Sequence, residues 1–452
     1  MKELRILSPC GILGYGFPKE SFLTGVSKKP DIIAVDAGST DAGPHKLGAG
    51  VGIVSKQATK KDLELMLKAG FELKIPVVIG SAGGSGAKPH VEWTMQIIKE
   101  ICEEQQLHFK TAIIWADIDK SYIKTKMKKG DVAPLGPAPE LTEEALDLTT
   151  DVVSQMGHEP IIEALDKGAQ LIVAGRCYDP SVFAAYAIHK GYDPGLAYHL
   201  GKILECGALC AEPGTTKDCI MGYLREDHFL VEPMNPKRKC YITTVAAHTL
   251  YEKEHPYHLF GPGLELDLSG CTFEQQGDGV VKAAGSKFIK PREYYLKMEG
   301  AAKVAYRTLV IAGIRDPIMI QNIEAIKAEV IEQVAAYFEE IPRSEYQIIF
   351  HLYGKDGVMG PLEPVKETKS HELGMVMEVV ASTQDLANVI CSSARSTMMH
   401  YGYKGRKSTA GNLAFLYSPS DIVFGPVYKF TVYHLMRVDH PCELVKFEYL
   451  EL

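Results

Sequence analysis

Two aspartates, Asp36 and Asp41, bracket a run of glycine and hydroxyl residues, Gly38, Ser39 and Thr40. Carboxyls beside backbone N–H donors are the parts needed to move a proton next to a carbonyl and to hold the charge that develops. Glu205 and His248 are further acid/base candidates. Cys206 adjoins Glu205 and is a candidate nucleophile if His248 approaches in the fold. A second glycine-rich turn carries Ser81, Gly83 and Gly84, whose backbone amides could cradle phosphate or carboxylate. A third polar cluster carries Arg176 and Asp179, and a guanidinium suits a carboxylate. Asn412 lies in a late, unusually polar loop. Each residue has a bland reading beside the chemical one. Asp36 and Asp41 equally well cap a turn. Arg176 equally well forms a structural pair with Asp179 or Asp36. Cysteines at this spacing usually pack as small apolar groups.

The elements that must position these groups follow from the apolar runs. Ile32–Val35, 75–80, 111–116 and 171–174 are short apolar stretches, each ending in a polar, glycine-rich cluster, and Arg5-Ile6-Leu7 opens a first strand. Helical spacing separates them, near 60–73, 89–105 and 159–167. This alternation predicts an α/β fold with a doubly wound, mostly parallel sheet and a ligand crevice at the strands' carboxyl ends. The glycines of Gly11–Gly16 resemble a dinucleotide loop but lack the G-x-G-x-x-G spacing. Residues 199–214 read as helical, which would set Cys206 and Cys210 on one face. Their spacing with Cys219 and His248 matches no zinc signature.

From 220 to 289 short runs alternate with turn residues, so an antiparallel, β-rich segment is expected. Asp227, His228, Glu232, Asn235, His248, Tyr251, Glu252, His255 and His258 fall here, either on a solvated surface or as one wall of the crevice. Residues 243–248 read as a strand entering a helix. The remainder predicts strands near 309–312, 346–353, 375–381 and 427–436 and helices at 323–338 and 383–399. That order suggests an α+β domain, ferredoxin-like in outline. The expected organisation is 1–215 as a Rossmann-like domain with the crevice, 216–315 as a β-rich segment completing it, and 316–452 as the C-terminal α+β domain.

The chain has 452 residues, 46% apolar and 23% charged, with net charge −8. That length exceeds one ordinary core. The charge gives no footprint for nucleic acid, and no apolar run is long enough for a membrane span. Ten cysteines without framework spacing read as reduced thiols in a cytoplasmic protein. No dinucleotide, Walker or pyridoxal-phosphate motif stands out. The one cofactor arrangement the residues offer is a divalent cation between Asp36 and Asp41, since hard cations take oxygen ligands.

Six motifs taken together, VDAGSTDAGP (35–44), IGSAGGSG (79–86), VAGRCYD (173–179), GKILECGALCAEPG (201–214), VAAHTLYE (245–252) and STAGNLAFLYSPSDI (408–422), resemble the acyclic terpene utilization A (AtuA) family. The resemblance spans nearly the whole chain. It implies a catabolic setting with acyl-CoA and carboxylate intermediates, and often a small companion protein. The function expected is a lyase of the hydro-lyase type, a hydratase or dehydratase. Its substrate would be a small hydroxy- or unsaturated carboxylate or its CoA thioester, and the enzyme a homo-oligomer. The alternative is a non-catalytic or half-site subunit that binds such a ligand and works only with its companion.

Overall fold

The computed structural model describes residues 3–39 and 42–452. Thr40 and Asp41 therefore lie outside the described residues. The chain divides into two compact units, Met1–Ala302 with Phe430–Leu452, and Lys303–Lys429.

The first unit is built on a ten-stranded mixed sheet. Its parallel centre consists of β1 (Leu4–Ser8), β2 (Ile32–Asp36), β3 (Val77–Gly80), β4 (Lys110–Trp115) and β5 (Leu171–Ala174). Their spatial order is β1-β2-β3-β5-β4. Antiparallel strands extend it on the β1 side: β6 (Ile220–Leu224), β7 (His228–Pro233), β8 (Thr272–Gln275) and β9 (Val281–Ala284), in the order β8-β9-β7-β6-β1. At the other side β10 (Lys446–Glu451) pairs antiparallel with β4, Lys446 opposite Trp115.

The central strands are apolar almost without interruption because both sheet faces are covered. Successive side chains point to opposite faces. Ile32, Ala34, Val78, Ile172 and Ala174 join one core, and Ile33, Val35, Val77, Ile79, Leu171 and Val173 join the other. The second core is closed by α1 (Lys56–Leu73) and α2 (Lys88–Gln105). Ser55 caps α1 by accepting the Ala58 N–H, and a proline stands in the first turn of α2. The first core is closed by α3 (Glu159–Asp166), α4 (Asp179–His189) and α5 (Pro194–Leu204).

Three local expectations are corrected. Helix α5 stops at Leu204, and a separate 3₁₀ turn, Gly207–Cys210, follows it, so Cys206 and Cys210 share no helical face. Residues 243–248 form no strand, because all lie within α6 (Ile242–Thr249). The short strand expected near 309–312 is part of one long strand, Tyr294–Ile314. The antiparallel character of 220–289 is present as read.

In the second unit, strands Tyr346–Tyr353 and Leu373–Ala381 pair antiparallel, and the latter also pairs with residues 306–314. Helices Ile323–Tyr337 and Gln384–His400 cover this sheet around Met375, Met377, Ile326, Ile390 and Ala394. No helix among the described residues is long and apolar enough to cross a membrane.

Candidate functional site

A cleft of about 840 Å³ opens at the carboxyl ends of β1, β2 and β5 in the first unit. The position is the one that open α/β sheets use for ligands. Its lining includes Gly11, Ile12 and Tyr15 after β1, Asp36, Gly38 and Ser39 at the end of β2, and Arg176, Tyr178 and Asp179 after β5. Lys202, Glu205 and Cys206 reach it from the end of α5, and Lys297 from the strand Tyr294–Ile314. Glu252, His255 and His258 also line it, so the segment rich in histidine and acid is a wall of the crevice.

Asp36 is the last residue of β2 and is 1% exposed. Its Oδ2 accepts the Gly38 N–H at 2.8 Å. Burial pushes its carboxyl up to about 8, and the Asp179 charge adds to this against the pull of Arg176. Gly38 is needed for a steric reason. A Cβ there would stand 2.2 Å from the Ser81 Cβ and 2.5 Å from the Gly84 carbonyl oxygen. The turns after β2 and β3 thus pass in direct contact.

Arg176 is buried and its guanidinium ties four elements together. Nε donates to Glu299 at 3.0 Å, while Nη1 donates to Asp179 at 2.9 Å, Ser81 at 3.1 Å and the Cys177 carbonyl at 2.9 Å. Lys297 holds the other Glu299 oxygen at 2.6 Å and lies 4.3 Å from the centre of the Tyr433 ring. Against the effect of its burial, these two cations keep the Glu299 carboxyl below its ordinary value.

Also lining the cleft, Lys202 and Glu205 are one turn apart, both buried, and 2.5 Å from each other. Burial pushes Glu205 up to about 8, opposed by Lys202 and reinforced by Asp179. Burial and the negative Glu205 also push the Cys206 thiol up, the reverse of what a thiolate nucleophile needs. Tyr178 lies between these carboxyls in the chain's electrostatics. Burial, Glu205 and Asp179 raise its phenol, so it stays a donor.

Four buried polar atoms of side chains lining this cleft make no hydrogen bond among the described residues: Asp36 Oδ1, Tyr178 Oη, Glu205 Oε2 and His258 Nδ1. The last lies 2.8 Å from the Glu265 carboxylate, which leaves three without any partner. Buried polar atoms in proteins are nearly always paired, so three together mark a place where a ligand supplies the partners.

The sequence-derived candidates sort as follows. Asp36, Gly38, Ser39, Arg176, Asp179, Glu205 and Cys206 line the cleft together. Ser81, Gly83 and Gly84 are buried behind it, where the Ser81 hydroxyl accepts from Arg176 and from the Cys177 N–H. His248 is buried in α6, stacked on Tyr251 at 5.3 Å, and is not among the lining residues. Burial and Lys202 push its imidazole down to about 4. Asn412 belongs to the second unit, where its amide donates to the Met398 and Tyr401 carbonyls. Thr40 and Asp41 lie outside the described residues, and among those described no group of three or more His, Cys, Asp or Glu is arranged to hold a metal. Sequence reasoning missed Tyr178, Lys202, Lys297 and Glu299. Lys202 and Glu205 at i, i+3, and two charges alternating with apolar residues at Lys297 and Glu299, were the available signals.

The model of one family, described as acyclic terpene utilisation family protein AtuA, matches residues 56–220 and 229–419. The chain belongs to the AtuA family. The matched region of this AtuA-family chain contains Arg176, Tyr178, Asp179, Lys202, Glu205, Lys297 and Glu299, while Asp36 precedes it. Neither a curated protein nor a solved structure matches the chain.

Proposed function

We propose that this chain is a lyase of the hydro-lyase type, acting on a small hydroxy- or unsaturated carboxylate or its CoA thioester. The observation that carries the reading is the pairing of Asp36 and Glu205. Both are buried carboxyls with raised pKa and an unpartnered oxygen, lining one cleft. Adding or removing water beside a carbonyl needs one group that gives a proton to the leaving hydroxyl and one that takes a proton from the neighbouring carbon. A carboxyl that titrates near neutrality can do either. The Asp179 charge helps raise both groups, so each holds its proton up to about neutral pH. Tyr178 supplies a hydrogen bond to the developing oxyanion. Arg176 holds Asp179 and Glu299 in register.

We read the parallel centre of the sheet as doubly wound, a reading supported by cores on both faces. We read Lys303–Lys429 as ferredoxin-like, a reading supported by its β-α-β-β-α-β order and by the strand order Tyr346–Tyr353, Leu373–Ala381, Tyr294–Ile314, Asp421–Val438. The setting proposed is cytoplasmic, in keeping with ten free thiols, and the working state a homo-oligomer.

The test is turnover of a panel of hydroxy and enoic acids and their CoA esters by the isolated chain, followed by mass change of one water. Asp36→Asn and Glu205→Gln should each abolish it while the protein stays folded. Turnover that appears only after a small companion protein is added would replace this reading with that of a half-site subunit.

A further inference from the structure

We propose that the ligand of this cleft is a free carboxylic acid, bound as a single anion, and not a CoA thioester or another phosphate-bearing molecule. The inference rests on the carboxylate reading above and narrows it.

Of the glycine-rich turns that could cradle a phosphate, two are already closed, and in the third, after β2, the Gly38 N–H is held by Asp36. In the turn after β1, Gly14 and Gly16 donate their amides to one oxygen of Asp62, at 2.9 and 3.1 Å. Asp62 is 3% exposed, so the chain has docked its own carboxylate where an external anion would sit. The neighbouring amides are also used: Gly11 donates to the Thr216 carbonyl, Leu13 to that of Asp36 and Tyr15 to that of Ile12. The turn after β3, residues 81–86, is buried throughout and packed against Gly38.

The cations of the cleft are committed in the same way. Arg176, Lys202 and Lys297 each face a carboxylate at 3.0 Å or less, and none of the three is exposed. The exposed charges along the lining are Glu252 and Glu254. A diphosphate or a 3′-phosphate entering past them meets repulsion and, among the described lining residues, no free guanidinium or ammonium. A second cavity of about 430 Å³ in the same unit carries Lys290, Arg292 and Arg437, matched by Glu159, Glu293 and Asp439, and shares no lining residue with the cleft.

What the cleft does offer suits one carboxylate. Tyr178 Oη is a buried donor without a partner, and whichever of Asp36 and Glu205 keeps its proton is a second donor of the same kind. A carboxylate has about four lone-pair sites to receive them.

Isothermal titration of the full chain at neutral pH tests this directly. The probes are short- and medium-chain 3-hydroxy and 2-enoic acids, their CoA thioesters, and coenzyme A alone. The expected result is that the best acid binds at least about tenfold more tightly than its thioester and that coenzyme A does not bind. Thioesters that bind as well as the acids, or better, overturn the inference. Thioester turnover without acid binding also overturns it and leaves the hydro-lyase reading standing. Binding of neither class removes both. Glu254→Lys gives a second readout: it should narrow the gap between acid and thioester severalfold, and an unchanged gap overturns the electrostatic argument.

Discussion

Arg176 and Glu299, 123 residues apart in the chain, meet in a buried ion pair of 3.0 Å. The pair joins the loop after β5 to the strand Tyr294–Ile314, and Lys297 completes it from the far side. An ion pair without solvent cannot be half removed cheaply, because the survivor is left charged and unopposed.

Arg176→Met should therefore cost about 3–5 kcal/mol of stability. Urea unfolding of the two proteins would measure it. A loss below about 1 kcal/mol would mean that Lys297 alone satisfies Glu299.

The pH dependence of stability carries the mark of Asp36 and Glu205. Both carboxyls hold their proton more tightly in the fold than in the unfolded chain, from ordinary values of 3.8 and 4.5 up to about 8. Between those limits the folded state binds more protons, so stability falls as pH rises from about 4 through about 8, and then levels. Asp36→Asn removes one of the two contributions and should flatten the slope in part, and Asp36→Asn with Glu205→Gln should flatten it further. Melting temperatures of the ligand-free proteins across that range decide the point. A wild-type protein with no downward slope would contradict the burial of these groups.

Tyr178→Phe removes one oxygen that has no partner in the ligand-free protein, so folding should be hardly affected. Turnover should fall by about a hundredfold if the phenol donates to the reacting oxygen. The fall should appear in kcat and also as a raised KM, since the phenol binds the carboxylate and its hydrogen bond strengthens as charge develops. Unchanged kcat would leave Tyr178 as packing alone.

Gly38→Ala places a methyl 2.2 Å from the Ser81 Cβ and 2.5 Å from a carbonyl oxygen. One of the two turns must move, at a cost of about 1–3 kcal/mol. Because Asp36 accepts the Gly38 N–H, activity should fall by more than stability explains. Comparing turnover and unfolding of this one variant separates the two effects.

Much of the parallel sheet could be read from the chain, because a strand buried on both faces must be apolar throughout and must stop where solvent returns. The crevice followed from those stops, and Asp36, Arg176, Asp179 and Glu205 were found that way. The rest depends on distant pairing. Nothing near Arg176 in sequence announces Glu299, and nothing in the run from Lys446 to Glu451 announces β4. Cys206 and Cys210 were set on one helix face because the apolar spacing runs on past Leu204, whereas the Gly207 turn ends the helix. His248 looked catalytic by residue type. Its burial beside Lys202 is a tertiary fact that leaves it neutral and off the lining of the cleft.

Strand β10 pairs with β4 along its whole length, yet it follows β4 by hundreds of residues. A chain grows at about 5–20 residues per second, so β4 waits on the order of tens of seconds for the neighbour that covers its edge. Throughout that interval an apolar strand, with Ala112 and Ile114 at its centre, presents unpaired amides and carbonyls to other nascent chains. Biosynthesis of this protein therefore passes through a stage at which the β4 edge is made but not yet covered.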